Sequence, residues 1–142
     1  MEKLNFEIQI NAEPEKVWSV LWDDISYRQW TTAFTEGSFY TGTLEEGSIV
    51  KFFDPNNNGM YSRVEKNIPN QEMKFLHLGD IYGGIETPQN WGDATEAWIL
   101  EENEEGTKLK SEIQTNEEFK KFFEEKFPKA MQIVKQLSEN QF

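Results

Sequence analysis

No cysteine occurs in the chain, and histidine occurs once. The first absence excludes a disulfide scaffold, a thiolate metal site and a cysteine nucleophile. The second excludes a multi-histidine zinc site or a relay of two histidines within one chain. No bound metal and no cofactor are expected. Positive charge is scarce: 14 Lys and Arg stand against 26 Asp and Glu, a formal net charge of −12 with a pI near 4.5. A surface of that sign repels phosphate backbones and anionic lipid, so nucleic acid is not an expected partner. Long apolar runs are missing too. The longest, Val17–Trp22, falls far short of the roughly 20 residues of a spanning helix, so no integral membrane association is expected. Met1-Glu2-Lys3-Leu4-Asn5 lacks the basic start and apolar block of a signal peptide. The expectation is a cytoplasmic chain whose 142 residues form a single domain, 1–142.

What is plentiful is aromatic: Trp, Tyr and Phe make up 14% of the chain, enough for a real core despite a mean hydropathy of −0.75. Leu4, Phe6, Ile8 and Ile10 alternate with Lys3, Asn5, Glu7 and Gln9, the period of a half-buried strand. Pro14 and its flanking glutamates then open a helix with Val17, Trp18 and Leu21 on one stripe, ending at Asp23-Asp24. Ser26 is placed to cap a second short helix carrying Tyr27, Trp30 and Phe34. Strands follow near 36–42, 48–54, 59–67, 72–79, 93–102 and 106–115, punctuated by Glu45-Glu46-Gly47, Asp54–Gly59, Pro69-Asn70-Gln71 and Asn103–Gly106. Asp80–Trp91 reads as a long loop whose Ile81, Tyr82 and Ile85 would form a mobile lid at a cavity mouth. The segment 116–141 reads as helix, with Phe119, Phe122, Phe123, Phe127, Met131, Val134 and Leu137 on its core face. Pro128 either kinks this helix or starts a second one.

Several local patterns occur together in this order. Ile10-Asn11-Ala12-Glu13-Pro14-Glu15-Lys16-Val17-Trp18 runs from strand into helix, and Trp30 follows the second helix. Val64–Pro69 is a strand end before a proline turn, Gly106-Thr107-Lys108-Leu109 opens the last strand, and Phe127-Pro128-Lys129-Ala130-Met131 lies in the final helix. In these pieces the chain resembles the START-like, or SRPBCC, superfamily of the birch-pollen allergen. Among its branches it is most similar to bacterial proteins like the activator of the ninety-kilodalton heat-shock-protein ATPase. The resemblance implies an α+β helix-grip fold: a seven-stranded curved antiparallel sheet, two short helices after the first strand, and a long C-terminal helix across the sheet. It also implies an apolar cavity between sheet and helix.

Within that frame the residues offer little catalytic chemistry. His77 shares strand parity with Met73 and Phe75, and is either an ordinary strand histidine or a ligand-orienting group or general base. Glu96, which shares parity with Trp98, is a candidate partner for His77 or Arg63. The carboxylates Asp23-Asp24 and Glu101-Glu102 with Glu104-Glu105 lack the spacing of a cation loop. Tyr82-Gly83-Gly84-Ile85 lacks the lysine and further glycine of a phosphate loop, and no nucleophile elbow occurs. Phe119-Lys120-Lys121-Phe122-Phe123 is flanked by glutamates, so its phenylalanines read as core rather than membrane contact. No catalytic residue is assigned. The expected ligand-binding set is Trp18, Trp30, Phe53, Arg63, His77, Trp98 and Met131, with Tyr61 as a further polar group. Non-catalytic binding of a small hydrophobic or amphipathic molecule is the leading expectation. The alternatives are a protein-interaction module resembling the chaperone-ATPase activator, with an unspecified partner, and an enzyme of cyclase or hydrolase type using the same cavity.

Overall fold

A computed structural model describes residues 1–140; Gln141, the expected last helical residue, lies outside them. The chain runs β1 (Glu2–Ile10), α1 (Pro14–Trp22), α2 (Asp24–Trp30), a 3-10 turn (Thr31–Ala33), β2 (Phe39–Thr41) and β3 (Ile49–Phe53). It continues through β4 (Gly59–Ile68), β5 (Glu72–Tyr82), β6 (Ile85–Pro88), β7 (Thr95–Asn103), β8 (Gly106–Thr115) and α3 (Glu117–Glu139). All pairings are antiparallel, in the order β1-β8-β7-β5-β4-β3-β2, with β6 on the free end of β5. The helix-grip architecture is as expected, but the sheet has eight strands rather than seven.

The extra strand corrects the reading of the long loop. β5 runs on to Tyr82 and turns back through Gly83 and Gly84, whose φ angles of 56° and 84° suit a two-residue hairpin. Ile81 is fully buried, while Tyr82 and Ile85 project from the tip. The tip is pinned to the β3–β4 connection, with the Gly83 N–H on Asn58 Oδ1 and the Gly84 N–H on the Asn57 carbonyl, both at 2.9 Å. Turn glycines here serve a ladder, not a hinge.

The alternating strands bury the side expected of them. Leu4 and Ile10 on β1, and Thr107, Leu109, Ser111, Ile113 and Thr115 on β8, face one core with Val17, Leu21, Met131 and Val134. Ser26 is not a cap: α2 begins at Asp24, and the Ser26 hydroxyl donates to the Ser19 and Asp23 carbonyls instead. α3 runs unbroken through Pro128. Proline removes the N–H that Glu124 C=O would have accepted, but both residues are on the exposed face, where that carbonyl is open to solvent.

The two halves of α3 differ. Phe127, Ala130, Met131, Val134 and Ser138 are buried against β1, β8 and α1. Phe119 and Phe122, expected in the core, are each 42% exposed. Beneath them the interior is not filled, and that gap is the site.

Candidate functional site

A half-open pocket of about 450 Å³ lies between the first half of α3, the α2–3-10 segment and the β2–β3–β4 side of the sheet. Its walls are aromatic. α1 and α2 contribute Trp22, Tyr27 and Trp30, the 3-10 turn leads to Phe34, β2 and β3 give Phe39, Phe52 and Phe53, β5 gives Phe75, and α3 gives Phe119, Phe122, Phe123 and Phe127. Trp22 organises the inner wall, meeting Trp18, Trp30, Phe75 and Trp98 edge to face at centroid distances of 5.6–6.5 Å. Phe127 stacks on Trp98 at 5.4 Å and on Phe6 at 5.1 Å, closing the pocket's floor against the core.

Polar groups at the inner end form one chain of contacts. A register shift between Tyr61 and Ser62 on β4 sets Ser62 opposite His77 on β5, and their Oγ and Nδ1 atoms are 2.6 Å apart. His77 Nε2 is 3.4 Å from Glu96 Oε1, on β7. The other carboxylate oxygen accepts the Trp98 indole N–H at 2.8 Å. Both ring nitrogens of His77 thus face a polar partner, Nδ1 the Ser62 hydroxyl and Nε2 the Glu96 carboxylate. His77 and Glu96 line the pocket; Ser62 is fully buried behind them. Burial first, and then the Glu96 and Tyr40 charges, raise the Tyr27 phenol well above its ordinary value, so it stays protonated. Asp54 also lines the pocket, but its Oδ1 is occupied by the Asn56 and Asn58 N–H groups of its own turn.

The expected site residues separate into three groups. Trp30, Phe53 and His77 line the pocket. Trp98 and Met131 are buried within the core, Trp98 acting on the site through Glu96. Trp18 and Arg63 lie elsewhere. Trp18 packs on the outer edge of Trp22, and Arg63, between the buried Ser62 and Val64, pairs with Glu65 at 3.1 Å. Tyr61 is buried against Gly79, where any Cβ would strike its ring, and does not border the pocket. Ile81, Tyr82 and Ile85, at the far end of the β5–β6 hairpin, do not line the pocket, so the expected lid is not at the mouth. Residues the sequence reading passed over are Trp22, Tyr27, Phe34, Phe52 and Ser62. Trp22 had a signal, since it lies four positions after Trp18 on α1. Among the described residues no group of three His, Asp or Glu side chains could hold a metal ion, and no helix is long and apolar enough to cross a membrane.

The same architecture occurs in solved structures. The Aha1 dimer from Colwellia psychrerythraea superposes with a TM-score of 0.77 at 25% identity, covering 98% of this chain and 97% of that one. A Mesorhizobium loti protein gives 0.76 at 15% identity over 96% of both chains. One from Chromobacterium violaceum gives 0.73 at 12% identity over 99% of this chain and 100% of its own. No family model matches the sequence, and no curated protein is significantly similar to it. The chain has the helix-grip fold of the START-like (SRPBCC) superfamily. Over nearly its whole length it is similar in shape to the Aha1 structure.

Proposed function

We propose that this protein is a non-catalytic carrier or sensor, a single helix-grip domain that takes a small apolar or amphipathic molecule into the aromatic pocket. The observation that carries the reading is the pocket itself. A volume of about 450 Å³ is within the range of small-molecule sites, which are mostly apolar with a few convergent polar groups. The polar groups argue against catalysis. Both ring nitrogens of His77 already face partners, and the Ser62 hydroxyl has no exposed surface from which to attack a substrate.

Trp22 and Trp30 line the walls and report on occupancy. Titration with decan-1-ol is expected to shift tryptophan emission saturably, and native mass spectrometry to show one molecule bound. No saturable response would defeat the reading. A second reading comes from the Aha1 neighbour: an interaction module related to the chaperone-ATPase activator, acting through its surface. It predicts stimulation of the ninety-kilodalton chaperone's ATPase that persists when the pocket is blocked by Thr35→Trp.

A further inference from the structure

Every charged side chain lining the pocket is a carboxylate. These are Glu96 and Asp54, and no Lys or Arg lines any wall. Three cations on the surrounding elements are engaged with other carboxylates. Lys51 pairs with Glu86 at 2.6 Å, Arg63 with Glu65 at 3.1 Å, and Arg28 with Asp24 at 3.0 Å while covering Phe39 at 5.2 Å from its ring centre. Glu96 accepts the Trp98 indole N–H, its other carboxylate oxygen lies 3.4 Å from His77 Nε2, and among the described residues it pairs with no Lys or Arg. Phe75 stands directly opposite Glu96 in the β5–β7 ladder, and Trp22, Tyr27 and Trp30 share the pocket wall with it. A carboxylate among ring faces with no competing cation is the chemistry that recognises an organic cation: the rings attract it through their quadrupoles and the carboxylate through its charge. The same surroundings disfavour a fatty-acid carboxylate, which would meet like charge with nothing to neutralise it.

Resting on the proposed carrier function, we propose that the pocket's ligand is an apolar amine or quaternary ammonium compound, its cationic head against Glu96 and its apolar body along Phe34, Phe122 and Phe123. The inward carboxylate sets head-group selectivity, and the aromatic rim accepts the tail.

Three probes with one tail and different heads test this: decyltrimethylammonium, decan-1-ol and decanoate, each below its micelle concentration and read by tryptophan emission. The ammonium probe is expected to bind about tenfold more tightly than decan-1-ol, and decanoate more weakly than either. Glu96→Gln should remove most of that ammonium preference, read as the ratio of ammonium to decan-1-ol affinity within the variant. Glu112→Gln, the same charge change on the exposed face of β8, should leave the preference intact and so separates the pocket from the acidic surface at large. Saturable decan-1-ol binding with decanoate equal to or tighter than the ammonium probe would overturn the cation assignment alone. So would an ammonium preference that survives Glu96→Gln or falls equally with Glu112→Gln. Failure of all three probes to bind would overturn the carrier function and this proposal together.

Discussion

The imidazole of His77 is held from both sides, by Ser62 at Nδ1 and by Glu96 at Nε2. Removing the Ser62 hydroxyl leaves a poorly hydrated ring nitrogen without its hydrogen-bond partner. Ser62→Ala is therefore expected to destabilise the fold by about 1–2 kcal/mol, measured by urea denaturation, and to free the ring for rotation, measured by its NMR line shapes. Unchanged stability with an unchanged ring would contradict the anchoring role. Strand parity offered Glu96 as a partner for either His77 or Arg63, and the fold sets it beside His77. Ser62 was not legible, because simple alternation does not disclose the register shift that brings it opposite His77. Arg63 illustrates the same limit: it neighbours Ser62 in sequence but lies on the other face. At the far end of the molecule, Glu139 accepts the Asn11 N–H at 2.8 Å and the Lys135 ammonium at 2.6 Å. The backbone bond first, and then Lys135, lower its carboxyl below the usual carboxylate range. Its contribution is complete above that range and is lost as pH falls through the lowered folded value. Glu139→Gln should already raise amide exchange in the last turn of α3 at neutral pH; exchange equal to wild type would contradict the clamp.

Among the elements, α3 divides the labour between stability and access. Its second half is a core helix, whereas its first half spans the pocket, so the same apolar stripe serves two purposes. Phe127→Ala is expected to cost about 3–5 kcal/mol, because the ring is buried and stacked on both Phe6 and Trp98. Phe119→Ser should cost less than about 1 kcal/mol while weakening ligand binding. Equal losses of stability from the two, measured by thermal unfolding, would contradict the division. Helical periodicity located the stripe correctly, but periodicity reports which face is apolar, not whether anything packs beneath it. The β5–β6 hairpin was missed for a related reason. Four glycines and a proline within 14 residues, 79–92, read as a loop, while the ladder depends on backbone pairing that Tyr82 and Ile85, projecting from its tip, do not advertise.

At the scale of the whole molecule, the sheet, the order of its elements and the core were readable because strand and helix periods differ sharply over long segments. The pocket was not readable: a void is a difference between the volume enclosed and the volume filled, and its walls come from nine separate elements. Its existence as a working site is the central claim, and an amide and indole NMR titration with decan-1-ol tests it most directly. The account predicts saturable shifts at the Trp22 and Trp30 indoles and at Phe34, Thr35, Asn58, His77 and Glu96, with Lys108 and Glu112 on the outer face unaffected and the response suppressed in Thr35→Trp. Absent shifts, or shifts confined to the outer face and unchanged in Thr35→Trp, would contradict it.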